Sequence, residues 1–269
     1  MPIAARAEAD PPLDAVTVTA LAGLERLAGF APNEVLVSRL RRAARQAAAA
    51  VAREPHLDDP HWAALVDAVT VQETRMFRGA DQIEAFRAGP LGGLIAGARG
   101  RPLRLVSAGC ATGEEAWTLA ILAARAGATQ WRVLGLDLCR PALDAAAEAT
   151  YRRGPPDALR EVPSRDLAML AMQDGAFRPV EALRPHVGFR RANLLDPLPS
   201  RARADAILCR NVLIYLTAPA RIAVLLQLVA ALRPGGALLL GPTDAPPPGL
   251  GLVPFGPEAA GIWRKEGGE

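Results

Sequence analysis

Residues 103–125 read LRLVSAGCATGEEAWTLAILAAR. Leu103 to Ala108 is a short, mostly apolar run that ends on Gly109, and a loop of small residues follows. From Glu114 to Arg125 the apolar residues recur at helical spacing. The stretch therefore predicts a strand, a glycine-bearing loop and a helix. The loop has no Gly-Lys-Ser/Thr and no GxGxxG, so neither a phosphate loop nor the dinucleotide fingerprint is present. Ala108, Gly109 and Gly113 leave room for backbone to approach a ligand. Glu114 and Glu115 open the helix. They complement its dipole, and they would also repel a pyrophosphate while suiting a cationic ligand.

Outward from this unit the same alternation continues. Arg132 to Leu138 (RVLGLDL) reads as a second strand, with Pro141 in the first turn of the helix that follows. Ala204 to Cys209 (ADAILC) reads as a strand and Pro219 to Leu232 as a helix. Pro234-Gly235-Gly236 then forms a turn into the strand ALLLG. This order predicts an α/β doubly wound, mostly parallel sheet of Rossmann-like type. Such sheets bind ligands beyond the carboxyl ends of their strands. Asp137 ends the second strand, where a carboxylate binds a ribose diol. A ribose-bearing, positively charged, phosphate-free ligand describes S-adenosylmethionine.

The preceding region has a different texture. Leu21, Leu24, Leu27, Val35, Leu36 and Leu40 recur at helical intervals. The expected organisation is a helical domain over 1–68, a linker over 69–82 and an α/β domain over 83–269. Ser38 to Glu54 (SRLRRAARQAAAAVARE) predicts one helix of strong formers. Its arginines at 39, 41, 42, 45 and 53 make either a solvated face or a docking surface for an acidic protein. His56 to Pro60 reads as a turn, with a short helix from about His61. Residues 152–186 are rich in Pro and Arg, have no clear period, and read as an irregular insertion.

Composition narrows the classes. The 269 residues are 51% hydrophobic and 22% charged, ordinary for a soluble globular protein. A net charge of +3 gives weak warrant for a nucleic-acid partner. No apolar run reaches the ~20 residues of a membrane span. Glu8 and Asp10 precede any apolar stretch, unlike a signal peptide. Cys110, Cys139 and Cys209 lack zinc spacing and are too few for a disulfide framework, so no metal and a reduced, cytoplasmic setting are expected.

Four blocks together resemble the chemotaxis-receptor glutamate methyltransferases, the CheR family. VTVQETRMFR (69–78) is similar to the family's linker pattern N-E-T-x-F-F-R. SAGCATGEEAWTLA (107–120), VGFRRANLLD (187–196) and ADAILCRNVLIYL (204–216) continued by ALRPGGALLLGPTD (231–244) resemble its remaining patterns, in the same order. The resemblance runs from about residue 20 to 265. It implies a class I S-adenosylmethionine-dependent methyltransferase that esterifies glutamates in the helical cytoplasmic region of a chemoreceptor, leaving S-adenosylhomocysteine.

Carried over by position, the resemblance implies cofactor contacts at Gln72, Thr74, Arg78, Ala108, Gly109, Glu114, Asp137, Asn193, Leu194, Asn211 and Val212. Arg78 and Tyr215 would act at the reacting centre. Bland alternatives stand beside these roles: turn formation for the asparagines, a salt bridge for Arg78, core packing for Tyr215. His56, His61 and His186 read as surface or turn residues, and none is required as a base, since a free glutamate is an anion at neutral pH. The chain departs from the family pattern at Gln72 for asparagine, Met76 for phenylalanine, Ala116-Trp117 for Pro-Tyr, Cys139 for a second aspartate and Pro242 for histidine. A methyltransferase for a small molecule or RNA, and a non-catalytic module sensing the cofactor or its product, are the other readings.

Overall fold

The computed structural model describes residues 13–98, 100–198, 203–256 and 260–267; Glu8 and Asp10 lie outside them. The chain divides into two compact units, Met1–Val69 and Thr70–Glu269.

In the first unit four helices are described: α1 (Ala15–Ala28), α2 (Glu34–Arg42), α3 (Ala44–Val51) and α4 (Pro60–Val69). Their starts are written locally. Asp14 accepts from the Thr17 amide at 2.7 Å and Asn33 from the Leu36 amide at 2.9 Å, each satisfying a donor that a helix start leaves open. Asp59 accepts from the amides of His61 and Trp62 at 2.9 and 3.1 Å. Leu24, Leu40, Trp62 and Leu65 fill the core. The expected single helix from Ser38 to Glu54 is not there. It is interrupted at Ala43 (φ −96, ψ 27) and stops at Val51. Arg53 lies beyond the helix, its carbonyl accepting from the Trp62 indole at 3.2 Å. Propensity carried no signal for this break, because every residue around it is a good helix former and packing decides.

The second unit begins with α5 (Ala80–Ala88) and α6 (Pro90–Gly97). Then come β1 (Leu103–Ala108), α7 (Glu114–Arg125), β2 (Trp131–Asp137) and α8 (Arg140–Glu148). A short antiparallel pair, β3 (Leu170–Gln173) and β4 (Ala176–Pro179), precedes β5 (Val187–Arg191) and β6 (Ala204–Cys209). The chain closes with α9 (Ala218–Ala231), β7 (Leu232–Leu240), β8 (Leu252–Pro254) and β9 (Ile262–Lys265). The main sheet is ordered β5-β2-β1-β6-β7-β9-β8, and within it only β9 runs against its neighbours. All of β6 is buried, as a parallel strand covered on both faces must be.

Two local expectations are corrected. The β3–β4 pair shows that residues 152–186 are not wholly irregular; strands of four residues, one ending in Pro179, are too short to show a period. The Pro234-Gly235-Gly236 turn lies inside β7: Leu232 pairs with Ala204, the chain bulges, and Ala237 resumes opposite Ala206.

The topology positions the site. At β1 the sheet changes direction, with β2 and β5 on one side and β6 and β7 on the other. The loop after β1 therefore opens at the switch point, where doubly wound sheets take their ligands.

Candidate functional site

Ala108 ends β1 fully buried, and Gly109 turns with φ +79. A β-carbon on Gly109 would stand 2.3 Å from Cγ2 of Val212, so the loops after β1 and β6 pack directly on each other. Asn211 precedes Val212 with φ +57, a left-handed turn that asparagine tolerates better than most residues. A short 3-10 turn over Leu213–Tyr215 follows, closed by the Tyr215 amide on the Val212 carbonyl at 3.1 Å. Among the described residues the Tyr215 hydroxyl and the half-buried Thr74 hydroxyl have no hydrogen-bond partner.

Asp137 binds the neighbouring loops together. One of its oxygens accepts from the Ala111 amide at 2.8 Å and the other from the Cys139 amide at 2.9 Å. Its carbonyl takes the Ala192 amide at 2.9 Å, bringing the turn after β5 alongside. In that turn Asn193 accepts from the Leu195 amide at 3.2 Å, so its side chain does form the turn that sequence allowed as an alternative.

Glu114 is 5% exposed and accepts from the Thr112 hydroxyl at 2.7 Å. Burial pushes its carboxyl up, against the opposing pull of that hydroxyl. The Thr112 carbonyl accepts from the buried Tyr151 hydroxyl at 2.9 Å, which fixes the loop from below.

The linker is folded onto the second unit residue by residue. Gln72 Nε2 lies 2.8 Å from Cys139 Sγ. Arg75 pairs with Glu161, whose other oxygen accepts the Gly79 amide at 2.7 Å. The Met76 amide donates to the Ala158 carbonyl and the Phe77 amide to the Thr118 hydroxyl, both at 2.9 Å. Met76 and Phe77 are buried in the core of the unit, as their size predicts. Arg78 donates to the Glu73 carbonyl at 2.6 Å and lies 3.9 Å from the Glu73 carboxylate, a largely solvated pair of small energetic weight.

Sequence reasoning missed the group that holds the linker's far end. Arg210 is buried and donates in three directions: to Gln82 at 2.5 Å, to Glu115 at 3.3 Å and to the Arg78 carbonyl. Glu115 also accepts from the Ser107 hydroxyl at 2.7 Å, and Gln82 donates to the carbonyls of Leu240 and Ala260 at 2.8 and 2.5 Å. Burial lowers the Arg210 guanidinium and raises the Glu115 carboxyl, while the pairing opposes both shifts. One signal was available: an arginine directly after the strand ADAILC, apolar but for Asp205, needs a buried partner.

Residues 72–248 match the CheR methyltransferase SAM-binding domain. That span is more than half of the chain. The chain belongs to the CheR methyltransferase family. It therefore carries that family's S-adenosylmethionine-binding domain, on the class I methyltransferase fold.

Among relatives, the Probable biofilm formation methyltransferase WspC of Pseudomonas aeruginosa is 33% identical over 81% of this chain and 54% of its own length. The Chemotaxis protein methyltransferase 1 of the same species is 32% identical, over 67% of this chain and 69% of its own. The Chemotaxis protein methyltransferase of Listeria monocytogenes is 30% identical, over 66% of this chain and 67% of its own. The chain spans about half the length of the WspC relatives it matches.

The donor set of the CheR-type site fits the cofactor. Two carboxylates, one of them buried, edge a loop that has no phosphate cradle. Such a set suits a sulfonium, an ammonium and a ribose diol. The three cysteines are buried and form no disulfide, and no helix of the described residues is long and apolar enough to cross a membrane.

Proposed function

We propose that this protein transfers a methyl group from S-adenosylmethionine to glutamate side chains of a chemoreceptor-like helical protein, giving glutamate methyl esters. The carrying observation is the linker held against the turn after β2 by the Gln72–Cys139 contact, next to the Asp137 carboxylate. The relatives' printed names, chemotaxis protein methyltransferase and biofilm formation methyltransferase, support the same reading.

When bound, the cofactor supplies an electrophilic methyl group. The chain's own residues then have three tasks. Asp137 holds the ribose hydroxyls and Glu114 the cationic end, with Asn193, Leu194, Asn211 and Val212 bounding the adenosyl part. Ala108 and Gly109 offer backbone at close approach, while Thr74 and Gln72 close the linker side. Tyr215 and Arg78 orient the incoming carboxylate, which needs no base because a glutamate is already ionised at neutral pH. Catalysis is then mostly orientation, which is where a guanidinium and a phenol serve.

The organisation that goes with this reading is a helical domain over 1–68, the linker over 69–82, and the catalytic domain over 83–269. The exposed arginines Arg41, Arg42 and Arg45 serve as the receptor-docking surface, in a cytoplasmic protein. The test is transfer of labelled methyl from S-adenosylmethionine to receptor fragments. Label released by mild base as methanol supports glutamate esters. Base-stable label, or none on any receptor fragment, overturns the reading.

A further inference from the structure

Two positions at which this chain departs from its family's pattern meet in space. Gln72 stands where the linker pattern has asparagine, and Cys139 where the end of the second strand has a second acidic residue. They are 67 residues apart in sequence, yet Gln72 Nε2 lies 2.8 Å from Cys139 Sγ. The extra methylene of glutamine carries its amide nitrogen out to the sulfur. Cys139 is wholly buried, and its own amide donates to Asp137 at 2.9 Å. A chain of contacts thus runs from the linker, through Gln72 and Cys139, to the carboxylate placed for the ribose.

We propose that Gln72 and Cys139 are a matched pair that clasps the start of the linker to the ribose end of the cofactor site. Gln72 is then a positioning residue: one N–H of its amide is engaged by sulfur, and the other N–H and the oxygen are left for a ligand. Cys139 offers its sulfur as the acceptor. This rests on the proposed cofactor reading, but the clasp itself exists without ligand.

The physical expectation is coupling. A sulfur is a weak acceptor, so the hydrogen bond alone contributes little. The larger effect comes from holding the segment that carries Thr74 and Arg78 in place before the ligand arrives, which lowers the ordering cost of binding.

The experiment is a double-mutant cycle on the full chain: wild type, Gln72→Asn, Cys139→Ala and the double variant. Each is titrated calorimetrically with S-adenosylmethionine. Amide exchange of the linker around Met76 and Phe77 is followed in the protein alone. Each single variant should weaken binding about three- to tenfold and speed linker exchange. The double variant should be no weaker than the worse single one, because both remove the same clasp. Gln72→Asn with Cys139→Asp provides a second pair of matched length, expected to bind within about threefold of wild type.

Independent losses that multiply in the double variant, or Gln72→Asn binding and exchanging as wild type, overturn the clasp. If wild type fails to bind the cofactor, the cofactor reading falls, and the exchange data alone decide whether the clasp holds the linker. Thermal unfolding of each variant identifies any loss of fold, in which case the Gln72→Asn comparison decides.

Discussion

Arg210 Nη2 occupies the space that a side chain on Gly79 would need: a β-carbon there would lie 2.5 Å from it. Gly79 also has φ +69, which costs any L side chain about 1 kcal/mol before the contact is counted. Gly79→Ala should therefore destabilise the second unit by about 1–3 kcal/mol. It should also weaken cofactor binding, because the Arg78 carbonyl and the Gly79 amide are both anchored there. Denaturant unfolding and a calorimetric titration check the two effects; wild-type values in both would refute the account of this turn.

The Arg210–Glu115 pair makes a second prediction. Both side chains are buried, at 4% and 13% exposure, so removing one partner strands the other charge. Arg210→Met alone should cost about 3–5 kcal/mol. Pairing it with Glu115→Gln should recover part of that loss, since the stranded carboxylate is gone. Urea unfolding of the single and double variants measures this. A double variant as unstable as the sum of the singles would mean the two residues do not act as a pair.

The pattern of what was legible follows from which signals are local. The strands and helices around Gly109 and Asp137 are encoded in runs of neighbouring residues. Met76 and Phe77 are buried, and two large apolar groups side by side in a linker are a local signal of that. By contrast, nothing near Arg210 names Gln82, Glu115 and the Arg78 carbonyl, which are 128, 95 and 132 residues away. The break at Ala43 and the bulge inside β7 are likewise set by neighbours in space. Gln72 and Cys139 were each visible as departures, but their contact spans 67 residues and no spacing rule relates them.

Glu114 gives a pH dependence. Burial raises its carboxyl above the ordinary 4.5, so the ionised form is less favourable folded than unfolded. At neutral pH its charge therefore opposes folding; that penalty shrinks as pH falls through the raised value and is gone below the ordinary one. Glu114→Gln should unfold at a temperature a few degrees higher than wild type at pH 7, with the advantage shrinking as the solution is acidified. Cofactor affinity should move the opposite way. It needs the ionised carboxylate, so it should fall on acidification at a higher pH than an ordinary glutamate would give. Glu114→Gln should bind about 10- to 100-fold more weakly at pH 7 and lose that dependence. Differential scanning calorimetry and titrations at several pH values test both; a variant destabilised at pH 7 would contradict the assigned cost of burial.

Tyr215 separates binding from chemistry. Its hydroxyl makes no hydrogen bond among the described residues, and its backbone sits in the 3-10 turn that follows Asn211 and Val212. Removing the hydroxyl therefore removes no contact that the fold uses, and Tyr215→Phe should melt within about 1 °C of wild type. If the phenol orients the acceptor carboxylate, methyl transfer to a receptor fragment should fall about 10- to 100-fold. Cofactor affinity should stay within about twofold, because the lost interaction is made to the acceptor. Single-turnover transfer at saturating cofactor, beside a calorimetric titration, resolves the two quantities. An unchanged transfer rate would remove Tyr215 from the reacting centre, and an equal loss in cofactor affinity would move it to the cofactor side of the site.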